Sequence, residues 1–157
     1  MVEEIFQRHK EVVLFYSGGK DSLALLLLLK PYWERVTVVW VDTGNQFPEV
    51  LEHMAKVAAL VPHFIKLKGD TPGFLAKNGF PVDVVPTRAT TFGQFAFGPT
   101  QTTVCNRFEC CNANLWGPMQ AFLFATKPTC VLRADRQTER VKGPSQENGI
   151  EFCFPIW

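Results

Sequence analysis

At 157 residues with a formal net charge of +1, the chain is long enough for one domain with a hydrophobic core and too short for two. Hydrophobic residues make up 46% and charged residues 20%, an ordinary globular balance that excludes nucleic-acid binding by bulk charge but not a small anion held by local donors. The longest apolar run, residues 23–29, falls far short of the roughly 20 residues of a membrane span, and residues 1–10 are charged rather than an apolar leader. A cytoplasmic protein is expected, with no structural disulfides among its five cysteines.

Residues 12–16 (VVLFY) form a short run rich in strand formers, expected to be buried on both faces. Ser17-Gly18-Gly19 breaks it, and the Leu- and Ala-rich residues 22–30 read as a helix that stops at Pro31. Residues 36–41 (VTVVWV) are a second buried strand, followed by the loop Asp42-Thr43-Gly44-Asn45. A second helix is expected over residues 48–61. Pro48 suits its first turn, Glu49 its positive end, and Val50, Leu51, Met54, Val57, Ala58 and Val61 repeat at helical spacing. Residues 64–67 make a third strand. Strands alternating with helices predict a parallel sheet. Residues 69–104 hold four prolines with several glycines and threonines, and read as a long irregular insertion with at most short elements. Helical character returns near residues 115–125. Residues 129–132 read as a fourth strand, 133–149 as polar loop, and 151–156 as a fifth strand or an edge. The whole is expected to be one α/β domain over residues 1–157.

The strongest signal is Ser17-Gly18-Gly19-Lys20-Asp21-Ser22, placed directly after a buried strand and directly before a helix. In an open α/β sheet, ligands lie beyond the carboxyl ends of the strands. Gly18 and Gly19 allow a sharp turn and close backbone approach. The helix start exposes unpaired N–H groups and a partial positive charge. Ser17 and Ser22 add hydroxyls, and Lys20 adds a full charge. Together these make a cradle for phosphate. The spacing is neither that of a Walker A loop nor G-x-G-x-x-G. The plainer alternative is a strand-to-helix turn with Asp21 or Ser22 as helix cap.

Ser17-Gly18-Gly19-Lys20-Asp21-Ser22 resembles the PP-motif of the ATP pyrophosphatase superfamily. Residues 42–49 (DTGNQFPE) resemble the segment after the second strand in the phosphoadenosine phosphosulfate (PAPS) reductase family. Cys110-Cys111, followed by Leu115 and Pro118, resembles that family's cysteine-containing segment. Arg133-Ala134-Asp135 with Arg140 resembles its arginine-rich substrate loop. The resemblance covers about residues 10–157 and is strongest before residue 62. It implies a three-layer fold with a parallel, roughly five-stranded sheet, adenine nucleotide alpha-hydrolase-like (HUP-like). ATP or an adenylyl sulfate would lie across the strand ends. It also implies contacts from residues 17–22, Asp42, Thr43, Gly44, Arg133 and Arg140, with Lys20, Asp21 and Arg133 closest to the chemistry. Two chemistries occur in such proteins: cleavage of ATP between the α and β phosphates, and reduction of an activated sulfate by a C-terminal cysteine nucleophile. Mg²⁺ would be expected on Asp21 or Asp42.

Several positions depart from the reductase pattern. The chain ends at Phe154-Pro155-Ile156-Trp157 without an acidic cysteine motif, and Cys153 reads as apolar packing. Lys20 resembles the ATP-using members, where it can neutralise a departing pyrophosphate. Cys105, Cys110 and Cys111 could be a thiol cluster. A tandem pair without a C-x-x-C does not make the usual four-thiolate complement, so no iron–sulfur cluster is expected and buried thiols are the preferred reading. Val131 stands where glycine is usual before the arginines, and Arg136-Gln137 where Glu-Ser is common. His9, His53 and His63 receive no role. Phe92, Phe95 and Phe97 are either a lid over a base or, preferably, a hydrophobic anchor for the long insertion. The expected partner is an adenine nucleotide. A homo-oligomer or a partner protein remains open, as does a minimal nucleotide-binding module without turnover of its own.

Overall fold

The computed structural model describes residues 2–83, 90–98 and 104–135. In chain order these form α1 (Val2–Arg8), β1 (Val12–Phe15), α2 (Lys20–Leu28), a 3₁₀ turn (Lys30–Arg35), β2 (Val36–Asp42), α3 (Pro48–Leu60) and β3 (His63–Lys68). Then follow α4 (Thr71–Asn78), β4 (Phe80–Val82), α5 (Thr91–Phe97), β5 (Val104–Asn106), α6 (Arg107–Cys111), a π-helical turn (Asn112–Trp116), α7 (Gly117–Thr126) and β6 (Val131–Leu132). The main sheet is parallel with the order β3-β2-β1-β6. It has four strands among the described residues; the expected fifth, at 151–156, lies outside them. Within the stretch expected to be irregular, α4 and α5 form, and β4 pairs with β5 in a separate two-stranded parallel ladder.

Side-chain alternation along the strands sends apolar groups to both faces. Val12, Leu14 and Tyr16 of the β1 segment, with Val36, Val38 and Trp40 of β2, join Phe6, Leu26, Leu29, Met54 and Val57 in one large core under α1, α2 and α3. Val13, Phe15 and Val39 point the other way, against Met119, Phe122 and Leu123 of α7. The result is the expected three-layer α/β arrangement, with helices on both faces of a parallel sheet.

Two helical boundaries differ from expectation. α1 exists because Arg35 reaches across to it, donating to the carbonyls of Phe6, His9 and Lys10 at 2.6, 2.7 and 2.8 Å. The helix expected near 115–125 begins eight residues earlier and contains a π turn. Its Gly117 N–H donates to Asn112 O, and a Cβ at Gly117 would come within 2.6 Å of that oxygen. Pro118 has no N–H to donate to the Asn114 carbonyl. That carbonyl lies against Gly69, where any Cβ would collide with it.

Candidate functional site

All the strands of the main sheet run the same way, so the segments after β1, β2, β3 and β6 meet at one edge. From β1 the chain proceeds to β2 on one side, while β6 pairs with β1 on the other. The loops after β1 and β6 therefore flank the point where the strand order reverses, the place where open α/β sheets hold ligands.

The segment 17–22 is the strand-to-helix connection there. Gly18 has φ +82°, a conformation that L residues with a Cβ adopt only with strain. Gly19 is the N-cap of α2, and no side chain caps the helix. The alternative of Asp21 or Ser22 as cap is thus not what forms. Asp70, Thr90 and Asn106 cap α4, α5 and α6 by accepting from the N–H groups of Gly73, Gly93 and Phe108, whereas α3, like α2, has no side-chain cap. With no side chain capping it, the start of α2 can turn backbone N–H groups toward a ligand. Lys20 is the first residue of α2 and exposed, and Asp21 is half-buried beside it. Ser22, expected to offer a hydroxyl to the ligand, is instead turned inward. It is buried, donates to Gly19 O at 2.9 Å and accepts from Ser17 Oγ at 3.1 Å. It braces the turn from inside.

The loop after β2 is held by its own hydrogen bonds. Gly44, at φ +86°, donates its N–H to Asp42 Oδ1 at 3.0 Å. Thr43 Oγ1 donates to Asn45 Oδ1 at 2.9 Å and accepts from Gln46 Nε2 at 3.1 Å. Asp42 Oδ2 is 2.6 Å from Lys66 Nζ. Partial burial pushes the Asp42 pKa up. The hydrogen bonds from Lys66 and the Gly44 amide, with the nearby charges of Lys66 and Lys68, outweigh it and hold the carboxyl below its usual value. Both Asp42 oxygens are thus engaged within the protein.

Arg133 directly follows β6 and forms a 2.9 Å ion pair with Asp135. Both are largely exposed, so the pair is one that a doubly charged ligand could displace. Arg140, Arg136 and Cys153 lie outside the described residues. Cys105 and Cys110 are buried and Cys111 is half-buried. Cys105 donates to Gly79 O at 3.3 Å; burial, then the proximity of Cys110 and Glu109, raises its pKa. Among the described residues no group of three or more Cys, His, Asp or Glu is arranged to hold a metal, so these three cysteines do not converge as one ligand set. Phe92, Phe95 and Phe97 are exposed, and Phe95, at 90%, does not anchor the insertion.

The sequence reading passed over His53 and Tyr16. Their side chains meet beneath the glycine turn, with Tyr16 Oη 2.7 Å from His53 Nε2. The signal was present: His53 stands next to Met54 and between Val50 and Val57 on the apolar stripe of α3. Beyond β3, a broad open groove of about 910 Å³ is lined by Lys68, Asp70, Lys77 and Asn114.

Residues 11–77 match the phosphoadenosine phosphosulfate reductase domain family. An uncharacterized protein of Methanocaldococcus jannaschii is 45% identical over 49 residues, which is 31% of this chain and 10% of that protein. Among solved structures, the NH3-dependent NAD synthetase from Campylobacter jejuni, in complex with the nitrate ion, aligns with a TM-score of 0.51 at 18% identity. The alignment covers 87% of this chain and 52% of that one, so the chain spans about half the length of that structure and a small part of the M. jannaschii protein. The likeness in structure is one of fold. Among the described residues no helix is long and apolar enough to cross a membrane.

Proposed function

We propose that this chain, a member of the phosphoadenosine phosphosulfate reductase family through its residues 11–77, binds an adenine nucleotide at the shared edge of β1, β2 and β6 and promotes reaction at its α-phosphate. One observation carries the reading. The uncapped start of α2 follows a glycine turn with positive φ at the point of strand reversal, with Lys20 as its first residue. Phosphate oxygens would accept from the first-turn amides, where the helix dipole adds to the attraction. Lys20 would neutralise the negative charge that gathers on a departing pyrophosphate. Arg133 would exchange Asp135 for phosphate oxygens, which its planar fork can bind in pairs.

Nucleotide chemistry of this kind commonly uses Mg²⁺, which would supply charge neutralisation across neighbouring phosphates. Lys66 and the Gly44 amide each engage one oxygen of Asp42, which leaves lone pairs for a direct or water-mediated contact but offsets part of its charge. Asp21, in the first turn of α2, is the better placed carboxylate.

The decisive measurement is pyrophosphate release from ATP with Mg²⁺ by the purified protein. Release that disappears in Lys20→Ala supports reaction at the α-phosphate. ATP binding without release reduces the reading to a nucleotide-binding module, and no binding removes it. A second reading, reduction of an adenylyl sulfate, draws support from the family match. Its mark would be sulfite formed from PAPS with a thiol donor, lost in Cys153→Ser. Cys105, which is buried, and Cys130, which is half-buried, are poor substitutes for that nucleophile, because burial raises both pKa values.

A further inference from the structure

α3 lies directly beneath the glycine turn, and two consecutive residues of it touch the loop from below. Met54 is so close under Gly18 that a Cβ there would come within 2.5 Å of Met54 Cε, and His53 Cδ2 would be 3.9 Å away. His53 Nε2 is also hydrogen-bonded to the hydroxyl of Tyr16, the buried residue that leads into the loop. Tyr16 is fixed from its other side by a 2.9 Å bond from its N–H to Val39 O. α3 itself begins at the end of the loop after β2, where Val50 and Leu51 donate to Phe47 O at 3.0 and 3.2 Å. One helix thus contacts both loops that border the proposed nucleotide site.

A histidine on an apolar stripe needs only a polar neighbour to be satisfied. Here that neighbour stands at the root of the phosphate loop, and the ring stays half-exposed. We propose that His53 is a positioning residue. Through Tyr16, and together with Met54 under Gly18, it holds the Gly18-Gly19 turn in its phosphate-receiving shape before a ligand arrives, and it ties that turn to the loop 42–47. Donors fixed in advance need no ordering when the ligand binds, and that advantage is lost when their support is removed.

This inference rests on the nucleotide reading, and the test separates the two. ATP and adenosine are titrated calorimetrically into wild type, His53→Ala, His53→Gln, Tyr16→Phe and the His53→Ala/Tyr16→Phe double variant. His53→Ala and Tyr16→Phe should each weaken ATP by about fivefold to tenfold, the worth of one hydrogen bond, and leave adenosine within about twofold. The double variant should be no worse than either single one, as for two partners of one interaction. His53→Gln, whose amide can still reach Tyr16 Oη, should recover most of the loss. Equal losses for ATP and adenosine, additive losses, or no loss would each overturn the proposal. A second readout needs no ligand: amide exchange of residues 17–22 should be faster in His53→Ala and Tyr16→Phe and slow again in His53→Gln. If wild type binds neither nucleotide, the functional reading fails, while unchanged exchange in the variants independently sinks the role given to His53.

Discussion

Among the described residues, one face of the main sheet lies under α1, α2 and α3 and gathers twelve buried side chains, whereas the opposite face buries three, against α7. The deep face carries the helices that begin or brace the candidate site: α2 starts there without a side-chain cap and α3 supports the glycine turn. The shallow face adjoins the part of the chain where Phe80, Phe92, Phe95, Phe97 and Phe108 are exposed. A loop that must present its backbone to a ligand needs firm ground, because close-packed interiors resist deformation and transmit position. The asymmetry therefore has a functional sense. The glycine turn proposed to hold phosphate is built on the more deeply packed side, and the family match, residues 11–77, covers most of that side.

Val38 and Val39 of β2 test the asymmetry most directly. They are neighbours of one residue type, 0% and 1% exposed, and they point to opposite faces. Val38→Ala should cost about 2–3 kcal/mol, from the lost transfer free energy and a cavity whose surroundings cannot close in. Val39→Ala should cost about 1–2 kcal/mol, because its half-buried neighbours on α7 can settle into the space. Urea unfolding of both variants gives the comparison. Equal losses would mean that the shallow face is as tightly packed as the deep one.

Gly18 and Gly98 make a second pair. Both have positive φ, +82° and +87°. A Cβ at Gly18 meets Met54, whereas one at Gly98 meets nothing within 4 Å. Alanine at either position carries a backbone strain of about 1–3 kcal/mol. Met54 Cε is the end of a flexible chain and can swing aside, so most of the stability loss at Gly18 should be this same strain. Function should separate them. Gly18→Ala should weaken ATP by about tenfold or more as the turn tilts its amides, and Gly98→Ala should leave ATP affinity unchanged. Matching affinities in the two variants would remove residues 17–22 from the site.

The deep face was also the legible one. Residues 12–16 and 36–41 are unbroken apolar runs of strand formers, and only burial on both sides accommodates such runs, so strands, parallel sheet and glycine turn followed from the letters. What could not be read there depends on contacts between distant residues. α1 is fixed by Arg35 donating to its C-terminal carbonyls, and no local pattern in residues 2–8 announces that. The inward turn of Ser22 comes from its bond to Gly19 O and its contact with Ser17, whereas the motif alone suggested an outward hydroxyl. Asp42 is likewise tied to Lys66, which β3 brings alongside it, a contact that residues 42–49 alone do not announce. On the shallow side, the helix expected near 115–125 begins at Arg107 and takes in Gly117 and Pro118 through a π turn. The π turn absorbs both, because Gly117 permits the close approach to Asn112 O and Pro118 needs no partner for a missing N–H.

Asp42 gives a smaller, pH-dependent effect on the deep face, where Lys66 lies over the Trp40 ring while bonding the carboxylate. The folded pKa of Asp42 is lowered, so its contribution to stability is present above the unfolded value of about 3.9 and is lost as pH falls through the folded value. Because Lys66 is partly exposed, the pair should be worth about 1 kcal/mol or less. Asp42→Asn should therefore be slightly less stable than wild type at neutral pH, with the gap closing at acid pH below that unfolded value. Thermal melts of both proteins across that range check it. A gap that persists undiminished in acid would show that the loss is one of packing rather than charge.

The smallest effect is expected on the exposed side, at Phe95 of α5. With 90% of its surface in water, its ring has almost nothing to lose on replacement. Phe95→Ser should change stability by no more than about 0.5 kcal/mol, as for surface substitutions away from packed features. α5 is short, and its recorded cap comes from Thr90 accepting the Gly93 N–H, which the substitution leaves untouched. Urea unfolding measures the outcome. A loss above about 1 kcal/mol could arise only if the ring packs against another part of the protein in solution. The exposure of α5 would then end in solution, and its aromatic side chains would belong to a packed surface.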